Sequence, residues 1–326
     1  MNITFYGVRG STPTHGEEYL RYGGNSSCIF VKSTDGSPYL FDAGSGIRKA
    51  GRDILKNENN KMENNKSGNT ISSKKIKLFL SHHHWDHILG FPFFDPIYTR
   101  GYEISVYSGA KDGLRRRKMS WEESIKKELD VSVKSKSINS ELRRIFEGQF
   151  DKREGYFPVS LDELAADVSF HDLHSNDTVN SPLTVHHFLH DAHPGGMSTY
   201  RVEENGKSFV YTGDYESDFQ KYDVKFGVID KKLISFARNA DVLIMDGQYT
   251  LKEYEQKKGF GHSSYTKVCE IAADAQVKKL IITHHDPSHT DDILDAMEFD
   301  AKNYMNLILG KDISVVFARE GMKVAL

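Results

Sequence analysis

The sequence predicts an α/β (α+β) chain in which two sheets are flanked by helices, and three observations predict it. Short apolar runs bounded by glycine-rich turns fill the N-terminal segment. Further strand-like runs recur to the C-terminus, one pair of them forming an evident hairpin. Between them lie segments whose apolar residues recur at helical spacing.

In chain order, "ITFYGV", "SCIFVKS" and "PYLFDAG" read as strands, separated by the turns "RYGGNSS" and "STDGSP". "GIRKAGRDILKN" has helical apolar spacing, and residues 57–75, polar and asparagine-rich, read as a surface loop. "KIKLFL" is the next strand. From about 109 to 165 the charged, amphipathic stretches "GLRRRKMSWEESIKKELDVSV" and "INSELRRIFEGQF" read as a helical insertion. "LTVHHFLH", "STYRVEENGKSFVYTGD" and "ADVLIMDGQY" follow as strands, the second with Asn205-Gly206 in a hairpin turn. "SSYTKVCEIAADAQ" is a helix, "KKLIITHH" a strand and "ISVVFAREGMKVAL" a closing strand pair. No internal repeat is evident, and residues 1–326 are expected to form a single domain.

Composition narrows the class. Hydrophobic residues make up 38% and charged residues 27%, an ordinary globular balance. No apolar stretch approaches the ~20 residues of a membrane span, and the N-terminus enters a strand without a leader pattern. Cys28 and Cys269 are expected to be buried free thiols, in keeping with a cytoplasmic location. The net charge of −3 argues against a protein devoted to nucleic acid. The run Arg115–Lys118 is answered by Glu122 and Glu123, as on a solvated helix face.

The chemistry concentrates in "LFLSHHHWDHILG", with four histidines and an aspartate within six positions. Such density is costly if the rings are protonated and gains little in a core. His82 and His84, two apart at a strand end, can leave on one side and meet a single ion, while Asp86 and His87 can point at a second. Partners follow at later strand ends. His193, in a glycine-proline loop, would complete the first site; Asp214 would bridge both; His284 would close the second, with His285 beside it as the competing ligand. His186, His187 and His190 are expected at the surface or behind the ligands.

The order HxHxDH, His, Asp, His, with "FYGVRGSTP", "RYGGNSSC", "LFDAGSGIR", "GFPFFDPIY" and "HPGGMSTYRVE", resembles the metallo-β-lactamase fold superfamily, in its phosphodiesterase-like branch. The resemblance covers nearly the whole chain. It implies a four-layer αββα sandwich with a binuclear metal centre at one end of the sheet pair. The position matching the cysteine of true β-lactamases is Asp214, and that matching the glutamate of the di-iron branch is His84, which disfavours both activities. Nitrogen and oxygen ligands put Zn²⁺ first, with Mn²⁺ or Fe²⁺ as alternatives.

By the same resemblance, His262 in "GFGHSSYTK" contacts the scissile phosphate and protonates the leaving group, besides any helix cap from Ser263 or Ser264. Asp86 is expected to act in catalysis as well as in metal holding. Asp246 is expected to orient a ligand histidine, and Asp42 to support the HxHxDH loop. The expected activity is hydrolysis of a small, cyclic nucleotide or ribose phosphodiester by a hydroxide held on two divalent ions, with the insertion walling the site. The alternatives are a tRNA 3′-processing endonuclease and, in another class, a non-catalytic nucleotide-binding sensor. A sensor should have lost a ligand, and none is lost. Nucleic acid is the lesser partner, no membrane is expected, and a homodimer is compatible with the sequence.

Overall fold

The computed structural model describes residues 1–64, 74–109, 140–153, 155–217 and 225–326. Two seven-stranded sheets face each other. The first holds β1 (Asn2–Gly7), β2 (Cys28–Lys32), β3 (Pro38–Phe41), β4 (Lys75–Leu80), β5 (Glu103–Gly109) and β6 (Asp167–Leu173), with β14 (Lys323–Ala325) outside β1. The second runs, in spatial order, β13 (Ser314–Phe317), β12 (Lys279–Thr283), β11 (Val242–Asp246), β10 (Lys207–Tyr211), β9 (Met197–Glu204), β8 (Leu183–His190) and β7 (Thr178–Ser181). Each sheet is antiparallel on one side and parallel on the other. In the first, β3 to β6 are parallel; in the second, β10 to β13 are.

Strand alternation divides the core into layers. In β3, Tyr39 and Phe41 face inward and Leu40 outward; in β11, Val242 and Ile244 face inward and Leu243 and Met245 outward. The inward sets meet in one core with Phe5, Phe79, Tyr200 and Phe209. The outer face of the first sheet is covered by α1 (Ile47–Asn64) and α3 (Glu141–Gln149), through Ile47, Ala50, Leu142 and Phe146. α4 (Val228–Ala237), α6 (Tyr265–Asp274) and α7 (Asp291–Asn303) cover the second, through Leu233, Val268, Ile271 and Leu294. The result is the expected four-layer αββα sandwich. Among the described residues no helix is long and apolar enough to cross a membrane.

Three local expectations change. The span read as a loop from residue 57 begins as helix, because α1 runs on to Asn64; residues 65–73 lie outside the described residues. The closing strands do not pair with each other. β13 lies parallel to β12, whereas β14 crosses to the other sheet and pairs with β1, Ala325 opposite Asn2. Alternation identifies strands but not their partners. Of the insertion, α3 belongs to the helical layer, with Phe146 packed on Phe91 at a ring separation of 4.6 Å. Residues 110–139, including Arg115–Lys118, lie outside the described residues. The hairpin is as expected: Asn205 and Gly206 turn with φ of 51° and 74°, joining β9 to β10.

Candidate metal centre

β3, β4, β8, β10, β11 and β12 all end at one rim of the sandwich, and each is followed by a residue or loop of the site. Functional groups in sheet proteins commonly gather there, where the chain leaves the ladder and its side chains are released. Asp42, directly after β3, ties down the histidine loop that follows β4: its carboxylate accepts from Ser81 N at 2.7 Å and Ser81 Oγ at 2.8 Å. It also accepts from His87 Nδ1 at 2.8 Å, leaving His87 Nε2 to face the site. Asp42 thus supports the HxHxDH loop, from a left-handed backbone with φ of 61°. Asp86 and His87 lie in the short helix α2 (Trp85–Ile88).

Two groups of side chains converge, His82 with His84, His193 and Asp214, and Asp86 with His87, Asp214 and His284, and a third, Asp214 with Asp246, His262 and His284, shares members with the second. Within each group one donor atom of every residue lies within 4.8 Å of all the others. Asp214 is common to the first two and splits its oxygens between them. Its Oδ2 lies 3.5 Å from His82 Nε2 and 3.9 Å from His193 Nε2. Its Oδ1 lies 3.1 Å from His87 Nε2 and 3.0 Å from His284 Nε2. Asp86 Oδ2 lies 3.2 Å from His87 Nε2 and 3.1 Å from His284 Nε2, and accepts from Ser11 N at 2.8 Å. Ser11 lies in the motif "FYGVRGSTP", but a backbone N–H leaves no signal in a sequence.

His284 and His285 separate because His284 has φ of 62°, a region costly for a residue with a Cβ. His285 is turned away: its Nε2 donates to Ala318 O at 2.8 Å and its ring stacks on Phe317. It therefore neither competes for a metal nor supports a ligand. His187 and His190, in β8, are buried and bonded across to Ser198 and Thr199 of β9, while the half-exposed His186 faces Glu203.

Asp246 is corrected as well. It orients no histidine of the first two groups; its Oδ2 accepts from His262 Nδ1 at 2.7 Å, and its oxygens also take Tyr215 N and Gln248 N. His262 stacks on His284 with ring centres 4.9 Å apart, which places it beside the second group. Ser264 caps α6, accepting from Lys267 N, while Ser263 Oγ donates to Tyr215 O at 2.6 Å.

Electrostatics test whether cations fit. Burial lowers the pKa values of His82, His84 (to about 4) and His193, so their ring nitrogens keep lone pairs at neutral pH. Burial also opposes charge on His87, but Asp214, Asp86 and Asp42 outweigh it and hold its pKa well above the ordinary range. Asp214 and Asp86 are kept ionised against burial by the histidines around them. No Lys or Arg among the described residues pairs with Asp42, Asp86 or Asp214. Buried His82 Nε2 and Asp214 Oδ1 have no hydrogen-bond partner, and His87 Nε2 and His284 Nε2 sit 3.2 Å apart. Orphaned acceptors, facing nitrogens and buried carboxylates without a Lys or Arg partner fit two cations. His262 is opposed by burial too, yet Asp246 pushes its pKa up to about 9.

A rim-mounted His/Asp cluster on an αββα sandwich is compatible with a binuclear metal centre. Residues 39–285 match the profile of the Beta-lactamase superfamily domain, and the chain belongs to that superfamily. It is 25% identical over 338 residues to Ribonuclease Z of Methanosarcina acetivorans, covering 96% of each chain. Ribonuclease Z of Archaeoglobus fulgidus is 24% identical, again over 96% of each. In structure it is similar to the metallo-beta-lactamase fold protein YhfI of Bacillus subtilis, with a TM-score of 0.60 and 17% identity over 99% and 98% of the two chains.

Proposed function

We propose that the protein is a binuclear-metal phosphodiesterase that cleaves RNA at the 3′ end of precursor tRNA. The observation that carries the metal chemistry is Asp214, one carboxylate presenting its two oxygens to two histidine groups. The substrate reading rests on the Ribonuclease Z relatives, which extend over 96% of this chain and of their own lengths. They reverse the order expected from the sequence, where a small cyclic phosphodiester came first. That second reading keeps one argument, the net charge of −3, which disfavours a large RNA groove.

His82, His84, His193 and Asp214 would hold one ion, and Asp86, His87, Asp214 and His284 the other. When bound, the ions supply Lewis-acid polarisation of the phosphoryl oxygens and activation of the attacking water. Zn²⁺ suits the donor set, and Mn²⁺ or Fe²⁺ would also be accepted. Asp86, fixed by Ser11 N, stays ionised and accepts a hydrogen bond from the nucleophile. His262 is protonated at neutral pH, is steered by Asp246, and delivers its proton to the departing ribose oxygen. The free buried thiols Cys28 and Cys269 favour a reducing cytoplasm, and a homodimer would leave this site complete in each copy.

The test pairs metal analysis with cleavage assays on precursor tRNA, cyclic nucleotides and ribose cyclic phosphates. Two ions per chain and release of the tRNA 3′ trailer are expected. Turnover of cyclic phosphates alone would restore the small-substrate reading, and binding without turnover of either would restore the sensor.

A further inference from the structure

We infer that Glu216 is a positioning residue for His262, an inference that rests on the phosphodiesterase reading above. Glu216 stands two residues beyond Asp214, and both its oxygens are committed to the loop that ends in His262. Oε1 accepts from Gly259 N at 2.7 Å and from Tyr254 OH at 2.9 Å, and Oε2 accepts from Gly261 N at 2.8 Å. Its own backbone N–H donates to Ala192 O at 3.0 Å, next to His193. No Lys or Arg among the described residues forms an ion pair with Glu216, and its oxygens are taken up by two backbone N–H groups and one phenol.

The clamped loop touches both groups that need aiming. Gly261 O accepts from His193 Nδ1 at 2.8 Å, turning His193 Nε2 toward the site. Gly261 itself has φ of 97°, and a Cβ there would lie 2.2 Å from His193 Nδ1, so the backbone rests directly on that ring. One residue later, His262 makes its bond to Asp246. Asp246 sets the direction of the imidazole ring, whereas Glu216 sets where the ring's backbone stands. A carboxylate can accept on both oxygens, while a glutamine in its place would turn an NH₂ toward one of the donors. Glu216→Gln is therefore a near-isosteric way to loosen the loop.

The experiment uses the full metal-loaded chain as wild type, Glu216→Gln, His262→Ala and the double variant. Turnover is read on bis(p-nitrophenyl) phosphate, whose leaving group needs little protonation, and on an RNA diester, whose ribose oxygen needs it. Glu216→Gln should slow the RNA diester about tenfold or more and the nitrophenyl ester less than about twofold, the pattern of an impaired general acid. In the His262→Ala background it should add no further loss, since both act through one proton donor. Metal content should stay at the wild-type value. By NMR, the hydrogen-bonded Nδ1 proton of His262 should shift or broaden in Glu216→Gln whether or not any substrate turns over. That arm separates the two ideas, because a wild type inactive on every phosphodiester would sink the function and leave the positioning role to the resonance. Equal losses on both substrates, additivity with His262→Ala, or an unchanged His262 resonance would each overturn the inference. If Glu216→Gln does not fold, Tyr254→Phe, which removes one donor from the clamp, is read by the same criteria with the same direction expected.

Discussion

Two adjacent histidines show how one backbone angle divides chemistry from structure. With φ of 62° at His284, its ring meets Asp86 and Asp214, while His285 bonds Ala318 O on the far side. His284→Ala should lower bound metal from about two ions per chain toward one, because it removes a ligand while alanine's Cβ leaves the cost of the left-handed backbone unchanged. His285→Ala should retain metal but lose about 2–4 kcal/mol, from a cavity and an unpaired buried carbonyl. Metal analysis with urea unfolding checks both, and metal loss in the second variant only would reverse the assignment. Asp214→Asn should cost both ions, since one carboxylate serves both groups. His262→Ala should slow an RNA diester by roughly 10²-fold while sparing a nitrophenyl ester. Comparable losses on both would reassign His262 to binding.

At the scale of elements, the strands that carry the site also bury histidines that must stay neutral. In β8, His190 accepts from Ala192 N on Nδ1 and lies against Thr199 Oγ1 through Nε2, so neither nitrogen has room for a further proton. Burial drives its pKa from 6.5 to about 3. The unfolded chain therefore binds the extra proton first as pH falls. Stability linked to His190 is full above pH 6.5 and is lost progressively as pH falls toward 3. By pH 5 this amounts to about 2 kcal/mol. His190→Gln should cost stability at pH 7.5 through lost packing, but that cost should shrink by about 2 kcal/mol at pH 5. Denaturant unfolding at the two pH values measures it, and an equal cost at both would show that His190 is not the titrating group.

For the whole molecule, the unsettled quantity is how large a substrate the rim admits. A groove that neutralises several phosphates releases counterions, so its affinity falls steeply with salt. If precursor tRNA is the substrate, its KM should rise at least about tenfold between ~50 and ~200 mM salt, while the KM for a nitrophenyl diester barely moves. The slightly negative net charge makes this demanding, because the basic surface must then be local. Salt-insensitive turnover of a cyclic phosphate, with no tRNA cleavage, would favour the small substrate.

The layers and a candidate set of metal ligands are legible in the sequence. The short apolar runs of β3, β10 and β11, the Asn205-Gly206 turn and the histidine-dense end of β4 are local patterns, and local patterns are written in neighbouring residues. The downstream ligands were legible because each follows a buried strand, and strands of one sandwich end at a common rim. What only the tertiary structure decided depends on residues far apart in the chain. The switch of β14 to the first sheet, the partner of Asp246, the turning away of His285 and the grip of Glu216 on the His262 loop are of this kind. Each is a choice of hydrogen-bond partner among several that are chemically equivalent in sequence. The choice is made by packing, which brings one donor within reach of an acceptor and removes the rest.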